Sequence, residues 1–254
     1  MKEASAKDLT LLRKLKQRKY RDQERLFVVE GSRAIEQTIE GRRIEVIKIF
    51  VIEGKEIGDD YPVPAFILNK KDAKELFDTD SPQGVIAICK MPEETLVWDL
   101  ADHSGLIIAF DRIQDPGNAG TMMRTAAWFG VSGVLLGKGT VDIFNSKVVR
   151  STMGALGVIP FMHGNLSSLL ALFESKGWKV VLLDGNKGSK PLQRFKKTEK
   201  IILVVGNEAN GIDKELKKAH RERALITSAG TSREVESLNA SIALSIGLYH
   251  FCSS

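Results

Sequence analysis

The sequence predicts an α/β protein built from two consecutive units. Three observations carry this: strand-like and helix-like segments alternate along the chain, the strand-like runs are apolar and β-branched, and a polar, proline-bearing stretch interrupts the alternation once. At 254 residues and 43% hydrophobic, the chain can bury one large core or two small ones.

In the first unit, Phe27–Val29, Val46–Val51, Ala65–Leu68 and Val85–Cys89 read as strands, with helical patterns over Arg33–Ile39 and Ala73–Phe77. Met91-Pro92-Glu93-Glu94 and the polar run Asp99 to Ser104 then predict a linker near residues 91–103, so the expected domains are 1–95 and 103–254. In the second unit the expected strands are Leu106–Phe110, Gly133–Leu136, Gly157–Phe161, Lys179–Leu183, Ile201–Val205 and Ala224–Thr227. Helices are expected over Ala119–Phe129, Ser167–Ser175, Lys214–Lys218 and Leu238–Phe251. Near-continuous apolar strands such as Leu106-Ile107-Ile108-Ala109-Phe110 predict a parallel sheet covered on both faces. In such sheets ligands collect beyond the carboxyl ends of the strands.

Composition narrows the function. No apolar run reaches the roughly 18 residues of a membrane span. Charged Lys2, Glu3, Lys7 and Asp8 stand where an export signal needs apolar residues. Cys89 and Cys252 have no metal-ligand spacing and make no disulfide framework, which fits a reducing cytoplasm. The net charge is +5, and Arg13, Lys14, Lys16, Arg18, Lys19, Arg21 and Arg25 crowd into one stretch. Such a stripe attracts phosphates, and it equally fits a solvated helix face pinned to a core by Leu11, Leu12, Leu15 and Tyr20.

Three stretches follow predicted strands of the second unit. The first is Asp111-Arg112-Ile113-Gln114-Asp115-Pro116-Gly117-Asn118-Ala119-Gly120, a bent turn opening a helix that carries Arg124. Asn118 reads either as a helix cap or, with Arg124, as part of a crevice. The second, Gly206-Asn207-Glu208-Ala209-Asn210-Gly211, begins with a glycine that permits close approach to the backbone. The third is Glu236-Ser237-Leu238-Asn239-Ala240-Ser241, whose Ser237 and Asn239 read as caps or as functional groups. Walker, dinucleotide-fingerprint, zinc and serine-hydrolase patterns are missing. The four histidines His103, His163, His220 and His250 are scattered, so no metal is expected.

In this order, the three stretches resemble the three motifs of the SpoU family of RNA 2′-O-methyltransferases, within the SPOUT superfamily. Asn145-Ser146-Lys147-Val148-Val149-Arg150-Ser151-Thr152-Met153-Gly154-Ala155 resembles the family segment N-P-K-x-x-R-A-S-x-G-A, and Phe27–Gly31 with Gln83–Ala87 resembles its N-terminal domain. The resemblance implies a C-terminal trefoil-knotted methyltransferase domain behind a small α/β substrate-binding domain. It implies S-adenosylmethionine as cofactor, held by Gly206, Ile226 and Leu238, and catalytic positions at Asn118, Arg124, Glu208, Ser237 and Asn239. It also implies a homodimer whose sites draw on both subunits. It implies an RNA substrate, ribosomal before transfer RNA, with Arg150 reaching a phosphate, and the basic stripe adds Arg13, Lys14, Arg18, Lys19 and Arg21 as expected RNA contacts. The chain departs from the family at Thr227, where proline is usual, in the longer loop 230–235, and at Ala240 in place of valine. A non-catalytic RNA-binding protein on the same fold, and a nucleotide-dependent oxidoreductase, are the competing readings.

Overall fold

The computed structural model describes residues 1–55, 61–78, 83–186, 188–228 and 237–253. The chain forms two compact units, residues 1–93 with 142–158 and residues 94–141 with 159–254.

The first unit holds β1 (Lys2–Glu3), α1 (Ala6–Leu15), α2 (Arg18–Glu24), β2 (Leu26–Glu30), α3 (Ser32–Gly41), β3 (Val46–Ile52), β4 (Ala65–Leu68), α4 (Lys70–Leu76) and β5 (Val85–Lys90). Its sheet runs β1-β4-β3-β5-β2, with β5 antiparallel to both neighbours. Ser5 and Asp8 close a capping box that starts α1. Leu12 and Leu15 of α1 join Leu76 of α4 over Phe50, Ile86 and Ile88 of the sheet.

The second unit begins with α5 (Val97–Ala101), β6 (Gly105–Asp111), α6 (Pro116–Trp128) and β7 (Gly133–Gly137). The chain then contributes α7 (Ser146–Thr152) to the first unit. It returns through β8 (Phe161–Gly164), α8 (Leu166–Ser175), β9 (Lys179–Leu183), β10 (Lys190–Pro191), β11 (Lys200–Gly206), β12 (Glu222–Leu225) and α9 (Ala240–Ser253). The strand order β10-β12-β9-β11-β6-β7-β8 is parallel throughout. From β6 the chain builds outward to β7 and β8, then crosses to the far side and inserts β11 beside β6. The direction of winding therefore switches at β6 and β11, where a crevice opens beyond the strand ends. One face buries Ile107, Ala109, Ile202 and Val204 against Leu166, Leu170 and Phe173 of α8. On the other face α9 lies close because Gly247 has no side chain; a Cβ there would stand 2.8 Å from Leu203.

Three expectations are corrected. Residues 97–101 are not linker: they form α5, Leu100 and Ala101 are buried in the second core, and the Trp178 indole donates to the Ala101 carbonyl at 2.9 Å. The expected strand at Gly157–Phe161 begins only at Phe161, because Gly157 turns with φ +78° and packs on Ile44. Finally, the segment 142–158 belongs with the first unit, where Phe144 lies 5.1 Å from Phe27, ring to ring.

The second unit also buries a charge cluster. Arg221 donates to both Glu174 oxygens at 2.7 and 2.8 Å and to the Leu216 carbonyl at 3.1 Å. Burial pushes the Glu174 carboxyl up, but Arg221 and His220 outweigh it and hold it below its ordinary range. A carboxylate depressed in the folded state adds stability above its unfolded pKa and loses it as pH falls through the folded value. Stability should therefore fall as pH drops below about 4. At neutral pH, Arg221→Ala should cost about 3 kcal/mol by leaving the half-buried Glu174 carboxylate with only His220 beside it, and its acid limb should be shallower. Urea unfolding across pH checks both.

Candidate active site

The three stretches meet at the carboxyl edge of the parallel sheet. β6 and β11 run in register to their last pair, Asp111 opposite Gly206, so the two loops leave the sheet level with each other. Gly206 is required there by the chain itself: a Cβ would stand 2.3 Å from the Ile212 nitrogen and 2.4 Å from the Gly211 carbonyl carbon. The loop after β11 folds back on the strand end and closes with the Asn207–Gly211 bridge. Buried Asn207 holds that loop, accepting from the Ala209 and Asn210 amides at 3.1 and 2.9 Å, and ties it to the other by donating to the Arg112 carbonyl at 2.8 Å.

Glu208 thereby projects over the first stretch. Its Oε1 accepts from Asn118 Nδ2 at 3.0 Å and from the Asp115 amide at 3.3 Å, and its Oε2 from the Gln114 amide at 3.3 Å. Asn118 Oδ1 in turn accepts from Asn239 Nδ2 at 3.0 Å. Asn239 Oδ1 takes the Ser241 amide at 2.8 Å and the Ser241 hydroxyl at 2.6 Å, capping α9. The cap reading of Asn239 is thus correct, and the same amide also reaches Asn118. The cap of α6 is Asp115, which accepts from the Asn118 amide at 2.7 Å ahead of Pro116. Asn118 is freed from capping and points its side chain into the relay.

The other expected positions lie as follows. Ile226 is half-buried just beyond β12, and Leu238, beside Asn239, leaves 47% of its surface exposed. Apolar side chains of this kind suit, in chemical type, the flat adenosyl part of S-adenosylmethionine. Ser237 is exposed and makes no hydrogen bond among the described residues. Loop 230–235 lies outside the described residues. Arg124 is exposed and pairs with no group among the described residues. Six residues past Asn118 on α6, it stands about 9 Å farther along the helix axis and about a third of a turn around it. One chain therefore joins Asn118, Glu208 and Asn239 but not Arg124. Asn207, Asp111 and Asp115 were missed in the sequence. Asp115 before a proline carried a readable cap signal; Asn207 and Asp111, whose Oδ2 takes the Asp213 amide at 2.6 Å, carried none. No cluster of His, Cys, Asp or Glu able to hold a metal occurs among the described residues.

In the first unit the basic stripe is largely neutralised. Arg21 is corrected as an RNA contact: it is 4% exposed, donates to the Leu15 and Lys16 carbonyls at 2.8 Å, and pairs with Asp142 at 2.5 Å. Arg150 pairs with Glu30 at 3.2 Å, and Arg13 with Asp72 and Glu75 at 2.9 Å. Lys14 and Lys19 are exposed, and Arg18 makes only an exposed pair with Asp22 at 3.5 Å.

This fold and site define a parallel α/β domain with a polar relay at its switch point, and comparison with known proteins supplies the family. The SpoU rRNA Methylase family matches residues 105–249, and an MRM3-like substrate binding domain matches residues 7–87. The chain belongs to the SpoU rRNA methylase family. It is 33% identical over 240 residues to the 23S rRNA (guanosine(2553)-2′-O)-methyltransferase RlmP of Bacillus subtilis, spanning 94% of this chain and 93% of that one. A TrmH-family RNA methyltransferase structure from Porphyromonas gingivalis superposes with TM-score 0.83 at 31% identity, covering 98% of each chain. An AdoMet-bound rRNA methyltransferase from Sinorhizobium meliloti superposes with TM-score 0.83 at 27% identity, covering 98% of this chain and 96% of that one.

The geometry separates position from charge at Glu208. Glu208→Gln can keep both Oε1 bonds, to Asn118 and Asp115, and loses only the Gln114 bond. Glu208→Ala loses all three. If Glu208 positions Asn118, the Gln variant should retain turnover within about tenfold while Ala falls about 100-fold, with stability down by only about 1 kcal/mol. Steady-state rates and urea melts check this; equal losses in both variants would mean that the charge itself is needed.

Proposed function

We propose that this chain transfers the methyl group of S-adenosylmethionine to a ribose 2′-hydroxyl of ribosomal RNA. The observation that carries this reading is the Asn239–Asn118–Glu208 relay at the switch point of a SpoU-family sheet. The cofactor, when bound, supplies an electrophilic methyl on a sulfonium, which needs no metal to leave. The chain's own residues must then hold the ribose in line and exclude water, and alignment of this kind can supply about 7–11 kcal/mol in ideal cases. Asn118 and Asn239, locked to each other, present fixed amides to the ribose. Gly206, Ile226 and Leu238 line the cofactor side, and Ser237 stands at its rim. The chain reaches this arrangement through the trefoil knot of its family. Lys14, Arg18 and Lys19 offer the exposed charge for RNA phosphates, and the reaction belongs in the cytoplasm.

Arg124 enters from a second copy. It shares one face of α6 with Trp128, which is 85% exposed. On α9, which packs against α6, Leu244 and Leu248 are buried while Ile242, Ile246 and Tyr249 leave an apolar stripe exposed. A homodimer closing over these faces would cover the stripe and carry Arg124 to the partner's Asn118. A guanidinium stays protonated in water and cannot accept the hydroxyl proton, so Arg124 stabilises the developing alkoxide electrostatically while water or an RNA phosphate takes the proton.

Two experiments test this. Purified protein given methyl-labelled cofactor should label a ribose of undermodified bacterial 23S rRNA, with the position equivalent to guanosine 2553 the first to map. Label on transfer RNA alone would change the substrate, and label on neither would leave an RNA-binding protein on this fold. For the dimer, Arg124→Ala and Asn118→Ala should each lower turnover by orders of magnitude. Mixing the two variants should restore about a quarter of wild-type activity, because half the dimers are mixed and each has one intact site. No restoration on mixing would place Arg124 in its own chain's site.

A further inference from the structure

The stripe of seven cations between residues 13 and 25 is mostly internal stitching. Arg13, Lys16, Arg21 and Arg25 pair with Asp72 and Glu75, Asp78, Asp142 and Glu93 respectively, and Arg18 pairs with Asp22. Lys14 and Lys19 alone pair with no carboxylate among the described residues. Both point to the same place: their ammonium groups lie 5.4 and 5.8 Å from the centre of the Tyr20 ring. Tyr20, on α2, is only half-buried.

We propose that Tyr20 is a stacking seat for an unpaired base of the RNA substrate, with Lys14 and Lys19 taking the phosphates that flank it. The inference rests on the RNA reading above and assigns a residue and a mode of contact that reading does not. An aromatic ring between two uncommitted cations is the chemistry that holds a single-stranded nucleotide, since the ring accepts any base face and the cations take the backbone. Exposed cation–π contacts are weak, so the ammonium groups move to phosphates and leave a ring face open to the base. A duplex would offer the phosphates but no open base face, so the seat selects a loop or bulge.

The test is binding of a bacterial 23S rRNA transcript to the full chain across a salt series. Tyr20→Leu keeps apolar packing and removes the ring; it should bind about 5- to 100-fold more weakly with an unchanged salt slope. Tyr20→Phe should bind like wild type. The double variant Lys14→Gln with Lys19→Gln, confined to the surface, should lower the slope of log K against log salt by about 1.5. A folded Tyr20→Leu protein that binds like wild type, or a double lysine variant with an unchanged slope, overturns the seat. If these variants are silent while the wild type methylates the RNA, the seat alone fails. If the wild type neither binds nor methylates RNA, the functional reading fails with it.

Discussion

The closeness of two backbone segments at Gly206 is the constraint on which the site depends. With the Ile212 nitrogen 2.3 Å from where a Cβ would sit, no side chain is possible at the end of β11 without moving the main chain. That contact folds the loop back at once, and Asn207 then has both a loop to hold and a neighbouring carbonyl to reach. Glu208 is left on the side facing the turn after β6. Because β6 and β11 end level, the carboxylate meets the Gln114 and Asp115 amides without a long reach. A local packing demand thus becomes a polar arrangement spanning loops far apart in sequence.

The centre of that arrangement is an amide. Asn118 accepts from Asn239 and donates to Glu208, and an amide offers both functions from one short, rigid plane. Aspartate at 118 would face Glu208 as a second carboxylate, with like charges in direct apposition. Asn239 is under a similar demand, because its oxygen is committed to the start of α9 and its nitrogen is all that remains for Asn118. The helix cap therefore orients the relay, and α9 carries the same end of the chain onto the sheet through Gly247.

How far the sequence disclosed this depends on distance along the chain. The parallel sheet was legible because Ile107 to Phe110 and Ile201 to Val205 are uninterrupted apolar runs, and both proved to be buried on two faces. The three stretches were legible as an ordered set, and Asn118, Glu208 and Asn239 do come together. The stripe was misread at Arg21 because its partner, Asp142, lies 121 residues away and nothing local announces it. The segment 142–158 was assigned by its neighbours in sequence, whereas Phe144 and Arg150 find their partners in Phe27 and Glu30. Periodicity reports what a segment would bury and is silent on which sheet it buries it against. The polar stretch read as linker shows the converse: five residues, Val97–Ala101, suffice to fill a gap in a core with Leu100 and Ala101.

Arg124 was legible in type and not in setting. An electrostatic stabiliser is effective where water is excluded, since the interaction of two charges weakens in proportion to the local dielectric. On one chain Arg124 is exposed and far along α6 from Asn118, so solvent screens it and no reacting group faces it. The apolar surface around it has the opposite defect, because Trp128 and the Ile242, Ile246 and Tyr249 stripe expose area that water disfavours. In the proposed dimer one event corrects both: covering the apolar faces removes the water that screens the cation and brings it to the partner's relay. Catalysis would then require assembly for an electrostatic reason, with the hydrophobic surface setting the dielectric in which a permanently charged guanidinium acts.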